Sequence, residues 1–191
     1  MKHQTDLRHI DDDPAKLQSL ADKLSQHFWE KPCSVPVTWN GRLQKSMGRF
    51  LFTAHGKKKT PIRIELSKHA AHFITREIFI AVLLHELCHY HLFIQNKPYE
   101  DHHPVFEKEL RRVGAISTNS VQIPQKGFDL YCSQCQGKLG TRKRFNTQKY
   151  LSGCCKAKVI KEDTLIGSFQ YSGQILRHSK INFLNDSQSN D

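Results

Sequence analysis

Acidic residues are missing from positions 31–64, and a single one, Asp129, stands between 126 and 161. The first stretch carries Lys31, Arg42, Lys45, Arg49, Lys57, Lys58, Lys59 and Arg63, and the second carries nine Lys and Arg. The net charge of +11 is therefore concentrated rather than spread, which fits a polyanionic partner, nucleic acid above all. A solvated basic face that aids solubility is the plainer reading of the same residues. The first residues lack the apolar core of an export signal, and no unbroken apolar run approaches a membrane span, so the expectation is a cytoplasmic protein with no membrane partner. The glycines are scattered and none opens a helix in the pattern of a phosphate-binding loop, which excludes that class of nucleotide site. No internal repeat or low-complexity tract is visible.

What is present suits a folded chain. At 191 residues, 38% hydrophobic and 25% charged, it can bury one sizeable core and a small satellite module. Six cysteines stand at 33, 88, 132, 135, 154 and 155. Without a secretory signal, reduced thiols or metal ligands are the better expectation than disulfides. Cys33, alone before a predicted strand, and Cys88, inside an apolar stretch, read as small core residues.

The most informative segment is His85-Glu86-Leu87-Cys88-His89, which closes the apolar stretch 78–84. Residues 74–94 contain no proline or glycine, and Thr75 with Glu77 reads as a helix start. On a helix, two histidines four apart lie on one face and can converge on one metal ion. Glu86 lies too far round the helix to be an easy ligand, but it is placed to take a proton from a water held by the ion. Bare imidazoles on a buried stripe are costly without partners, and a metal supplies one. The pattern points to metal-assisted peptide hydrolysis.

Around this segment the elements can be read from periodicity. Asp13-Pro14 opens an amphipathic helix with Leu17, Leu20, Leu24 and Phe28 at helical spacing. Three short extended stretches follow, at 35–39, 48–53 and 62–66, and predict a small antiparallel sheet with Ile62, Ile64 and Leu66 on the helix-facing side. After the motif helix, Asp101-His102-His103-Pro104 leads into a helix carrying Phe106, Leu110 and Val113 and ended by Gly114. One of the two paired histidines arrives at that helix start as the natural third zinc ligand. Residues 117–127 read as a linker. Beyond it, Cys132 and Cys135, a basic stretch of 18 residues, and Cys154 with Cys155 resemble a zinc ribbon in which two cysteine turns clamp one ion. The second pair departs from that pattern, because adjacent cysteines in extended backbone point to opposite sides; the expectation is an incomplete or rearranged site. The tail 179–191 reads as disordered.

Taken in order, Trp39-Asn40-Gly41-Arg42-Leu43 with Gly48-Arg49, the segment 85–89, Asp101-His102-His103-Pro104-Val105-Phe106 and the basic cysteine-bearing C-terminal part resemble the SprT-like family, bacterial relatives of the Spartan protease domain. The resemblance implies a zincin-like metalloprotease fold and, by analogy with the eukaryotic relatives, proteolysis of proteins attached to DNA. The family's Asp-His-Gly-x-x-Phe pattern maps its third histidine onto His102 and its glycine onto His103. It also puts Ser152 where a third ribbon cysteine is expected, with Cys155 as the fourth and Cys154 able to rescue the site by a local shift.

The combined expectation is an α+β chain: a zincin-like metalloprotease domain over 1–116, a linker over 117–127, a basic zinc-ribbon-like β module over 128–178 and a tail over 179–191. His85, His89 and His102 hold a catalytic Zn²⁺ with an open fourth position, and Glu86 is the general base. Cys132, Cys135, Cys154 and Cys155 form a second, structural zinc site. Arg142, Lys143 and Arg144, near Phe145 and Tyr150, are the expected nucleic-acid surface, and a protein is the expected substrate. The rival readings are a nucleic-acid-binding protein with a structural, non-catalytic zinc site, and a metal hydrolase with a non-peptide substrate.

Overall fold

The computed structural model describes residues 13–117, 121–168 and 170–171, and these fall into two compact units that meet in sequence between Ser120 and Val121. The expected tail, 179–191, and residues 118–120 of the expected linker lie outside the described residues.

In the first unit, α1 (Pro14–Trp29) starts where proline at the first turn suits it, with the Asp13 side chain accepting from the Ala15 N–H at 2.9 Å. Its buried face is Leu17, Ala21, Leu24 and Ser25. A three-stranded sheet of β1 (Val37–Asn40), β2 (Gly48–His55) and β3 (Lys58–Ser67) follows, in the order β1-β3-β2. The β2–β3 pair is an antiparallel hairpin, but β1 runs parallel to β3, so the sheet is mixed and not antiparallel as expected. The physical reason is the order: β1 pairs with the second arm of the hairpin instead of the first, and that arm runs in its own direction. Ile64 and Leu66 are buried under the helix layer as expected, whereas Ile62 is 38% exposed, the residue left unpaired at the register shift at Leu51/Phe52.

The core helix α3 (Arg76–Ile94) is capped by Thr75, whose side chain accepts from the Ile78 N–H. Every residue from Ile78 to Phe93 except His89 is buried, so this helix is apolar all round rather than amphipathic. By length and composition it could cross a membrane, which the short run 78–84 does not suggest, yet 83% of its most apolar window is buried inside the protein. Cys88 and Cys33 are both buried in this unit. A short helix, α2 (Lys68–Ala71), precedes α3. The last helix of the unit, α4 (Pro104–Val113), has His103 as its N-cap, Phe106, Leu110 and Val113 on its buried face, and Gly114 at φ 72° ending it.

The second unit is a small β module. A short pair, β4 (Val121–Gln122) with β8 (Gln170–Tyr171), accompanies a three-stranded antiparallel sheet of β5 (Gln125–Cys132), β6 (Lys138–Arg142) and β7 (Val159–Ile166), in the order β6-β5-β7. Part of the segment read as a linker is thus strand: 125–127 pair with 164–166.

Candidate metal centre

The site is built on α3 from its own periodicity. His85 and His89, one turn apart, bring their Nε2 atoms to 3.1 Å. Each ring is held from behind: His85 Nδ1 lies 2.7 Å from the Ile116 carbonyl oxygen and His89 Nδ1 lies 2.6 Å from that of Tyr99. A carbonyl only accepts, so both Nδ1 atoms carry the proton, and in the neutral rings both Nε2 atoms present lone pairs. Two Nε2 atoms facing each other at 3.1 Å are bridged either by a proton on one ring or by a metal ion bound through both lone pairs. Phe106 of α4 fixes the arrangement from one side, stacked on His89 at 4.2 Å and edge-on to His85 at 5.2 Å.

The third group at this position is Asp101. Its Oδ1 lies 3.4 Å from His85 Nε2 and 3.6 Å from His89 Nε2, and the three ligand atoms are within 4.8 Å of one another. His102, the expected third ligand, is exposed and outside this group; its backbone is in the left-handed region at φ 65°. His103 is spent on the helix cap, its Nδ1 accepting from the Val105 N–H at 3.2 Å. The turn before α4 therefore presents the aspartate to the pair and leaves the next histidine outside it. This set of two imidazoles and a carboxylate suits a borderline cation such as Zn²⁺.

Glu86 stands beside the pair, 6% exposed. Burial pushes its carboxyl up to about 7, against the pull of His85, while the Phe50 N–H hydrogen-bonds it. Burial and the neighbouring His85 push His89 down to about 4, whereas His85 rises because Asp101 and Glu86 outweigh its own burial. A cleft of about 460 Å³ opens on these groups, lined by Gly48, Phe50, Phe52 and Tyr99 as well as His85, Glu86, His89 and Asp101. His91 belongs to the core instead, stacked on Trp29 at 4.2 Å with its Nε2 3.0 Å from Ser25 Oγ.

The cysteines form a second cluster, in the β module. All four Sγ atoms of Cys132, Cys135, Cys154 and Cys155 lie within 4.8 Å of one another, and Cys135 Sγ is 3.6 Å from Cys154 Sγ, close to the ~3.8 Å edge of a tetrahedral zinc–thiolate site. Two turns build it with the same hydrogen bonds. Gln136 N–H donates to the Cys132 carbonyl and Cys132 N–H to that of Gly137; Lys156 N–H donates to the Ser152 carbonyl and Ser152 N–H to that of Ala157. Gln136 and Lys156 are both left-handed, at φ 58° and 55°. The turns therefore match Ser152 with Cys132 and Cys155 with Cys135. The difficulty expected of adjacent cysteines is absent because Cys154 and Cys155 sit in a turn and not in extended backbone, so both thiols reach the cluster. The Ser152 hydroxyl accepts from the Ala157 N–H at 3.0 Å and lies 3.3 Å from Cys132 Sγ.

Arg142, Lys143 and Arg144 are exposed at and after the end of β6, and Phe145 and Tyr150 lie near one another with ring centroids 5.7 Å apart.

The signal that sequence reasoning passed over was Asp101 itself, one residue before the histidine chosen, and Gly48, which was noted only as part of a pattern. The comparisons with known proteins agree with this architecture. The sequence profile of the SprT-like family matches residues 17–126. A Protein SprT-like of Geobacillus sp. (strain WCH70) is 33% identical over 153 residues, which is 77% of this chain and 94% of that protein. Another from Geobacillus kaustophilus is 29% identical over 152 residues, 77% of this chain and 97% of the relative, and one from Bacillus subtilis is 28% identical over 151 residues, 77% and 96% of the two chains. Because the match runs through the strands, the histidine helix and α4 and nearly spans the relatives, the chain belongs to the SprT-like family.

Proposed function

We propose that the protein is a zinc-dependent peptide hydrolase in which His85, His89 and Asp101 hold the ion and Glu86 is the proton acceptor. The observation that carries this reading is the pair of Nε2 atoms 3.1 Å apart, each ring locked by a carbonyl behind it, with the carboxylate of Asp101 beside them. A bound zinc would supply Lewis acidity, polarising a carbonyl and making a water more acidic. Glu86 takes a proton at its carboxylate and returns it to the leaving amine. Its burial supports that role, since a carboxyl raised to about 7 accepts and releases protons near neutrality. The Ile116 and Tyr99 carbonyls keep both rings oriented with Nε2 forward. Phe50, Phe52 and Tyr99 give the cleft an apolar wall against which a polypeptide can lie.

The cysteine cluster is read as a second, structural zinc site, in keeping with a reducing cytoplasm where thiols remain free. The rival, a nucleic-acid-binding protein whose metal is purely structural, leaves a buried carboxylate beside an open cleft with no task. Nucleic acid enters instead as a partner: the exposed Arg142, Lys143 and Arg144 suit phosphates, and the nearby rings suit stacked bases. Proteins attached to DNA are the substrate class this combination favours.

The test is Glu86→Gln. The variant retains zinc at the histidine site, since the residue is not a ligand, and loses hydrolysis of a susceptible protein by about 10²- to 10⁴-fold. Equal rates for the two proteins would remove Glu86 from the chemistry.

A further inference from the structure

Gly48 opens β2 with no backbone reason to be glycine. Its φ is not positive, it pairs in register with Leu66, and glycine in a strand costs stability. A Cβ at this position would lie 2.7 Å from Glu86 Oε1, 2.8 Å from its Cγ and 3.0 Å from its Cδ. Glu86 is 6% exposed and lies on a helix whose neighbouring residues Leu83, Leu84, Leu87 and Tyr90 are at most 1% exposed, so it can withdraw only towards the cleft, away from its present position. The other hold on the carboxylate comes from the same strand, two residues on, where the Phe50 N–H donates to it. At Gly127, by contrast, a Cβ would meet the apolar end of Ile166 at 2.3 Å, a matter of packing alone, whereas the one at Gly48 meets the carboxyl group of the cleft.

We infer that Gly48 is a positioning residue for Glu86: the side chain it lacks is the seat of the carboxylate, and the Phe50 N–H sets the direction in which that carboxylate faces the histidine pair. The consequence for rate rests on the hydrolase reading above; the contact itself does not. Strand β2 therefore does more than complete the sheet, since it decides where the proton acceptor stands. Any side chain at position 48 has to displace the Glu86 head group or push β2 from α3.

The experiment is a four-protein cycle of wild type, Gly48→Ala, Glu86→Ala and the double variant, followed by thermal unfolding, with zinc content measured for each. Gly48→Ala alone should lower Tm by roughly 3–8 °C, the size of an overpacked contact in a domain of this length. In the Glu86→Ala background the same change should leave Tm unchanged or raise it, because the colliding carboxylate is gone and alanine is the better strand residue. A single variant that does not fold, beside a double variant that does, is the stronger form of the same result. Equal shifts in both backgrounds, or two unfolded variants, would overturn the inference. In hydrolysis, Gly48→Ala should retain its zinc and its KM while kcat falls on the order of 10²-fold, as for a catalytic group misplaced by about 1 Å. An unchanged kcat in a folded, zinc-loaded variant would also overturn it. If the wild-type protein hydrolyses nothing, the hydrolase reading fails while the unfolding cycle still decides the Gly48 contact.

Discussion

At the scale of single residues, the histidine cluster departs from the expected ligand set, whereas the cysteine cluster is the expected four thiols and departs only from the family's ribbon pattern. The first groups both helix histidines with Asp101 in place of the expected His102. The second has a hydroxyl in place of a thiol at Ser152 and a further thiol at Cys154. The matched hydrogen bonds of the two turns make the exchange explicit: Ser152 sits in the backbone position of Cys132, and its hydroxyl is 3.3 Å from that thiol. Cys154→Ser should therefore lower zinc affinity of the β module steeply, and adding Ser152→Cys to it should restore affinity by returning a thiol to the matched position. Chelator competition measures both. Full affinity in Cys154→Ser alone would mean that three thiols and Ser152 suffice.

At the scale of elements, one carboxylate ties all three strands of the first sheet. Glu65 on β3 accepts from Asn40 Nδ2 of β1 at 2.6 Å, from Arg49 of β2 at 2.8 Å and from Arg63 at 2.6 Å. Burial works to raise its carboxyl, but these hydrogen bonds prevail and hold it at about 2. A depressed folded pKa means that the stabilisation is fully present above the ordinary value of 4.5 and is lost as pH falls towards about 2. Glu65→Gln should lower stability at neutral pH by about 1.5–3 kcal/mol, the range for hydrogen bonds to a charged group. The gap from wild type should close as pH falls through that window. Urea midpoints at several pH values check this, and a gap that stays constant down to pH 2 would contradict it. Much of the element layout was legible beforehand, for identifiable reasons. Thr75 caps α3, Asp13-Pro14 opens α1 and Gly114 closes α4, because caps are local chemistry. The partner of β1 was not legible, because periodicity marks a strand and a face but not a neighbour. Asp101 was missed for a related reason: which residue of the turn 101–103 faces the histidines depends on the left-handed backbone at His102, and residue type alone does not reveal it.

At the scale of the whole molecule, the function proposed above involves two partners, a polyanion for the net charge of +11 and a polypeptide for the histidine cleft. The basic excess was plain in the sequence, and so was the pair of histidines. The close approach of β2 to Glu86 was not, since it is a tertiary contact between residues far apart in the chain. Changing Arg142, Lys143 and Arg144 together to alanine should weaken binding to single-stranded DNA and flatten its salt dependence by roughly one unit of slope for each phosphate that is no longer neutralised. Zinc at the histidine site should be untouched. Fluorescence anisotropy at several salt concentrations measures this, and an unchanged affinity and slope would move the nucleic-acid surface elsewhere, with Lys57, Lys58 and Lys59 at the β2–β3 turn as the next candidate.

The central claim, a zinc held by His85, His89 and Asp101, is tested most directly by metal stoichiometry in purified single variants. Asp101→Ala should lose the ion of the histidine site and retain that of the cysteine cluster, while His102→Ala should retain both. Loss of the histidine-site ion on changing His102, with Asp101→Ala still fully loaded, would contradict that claim.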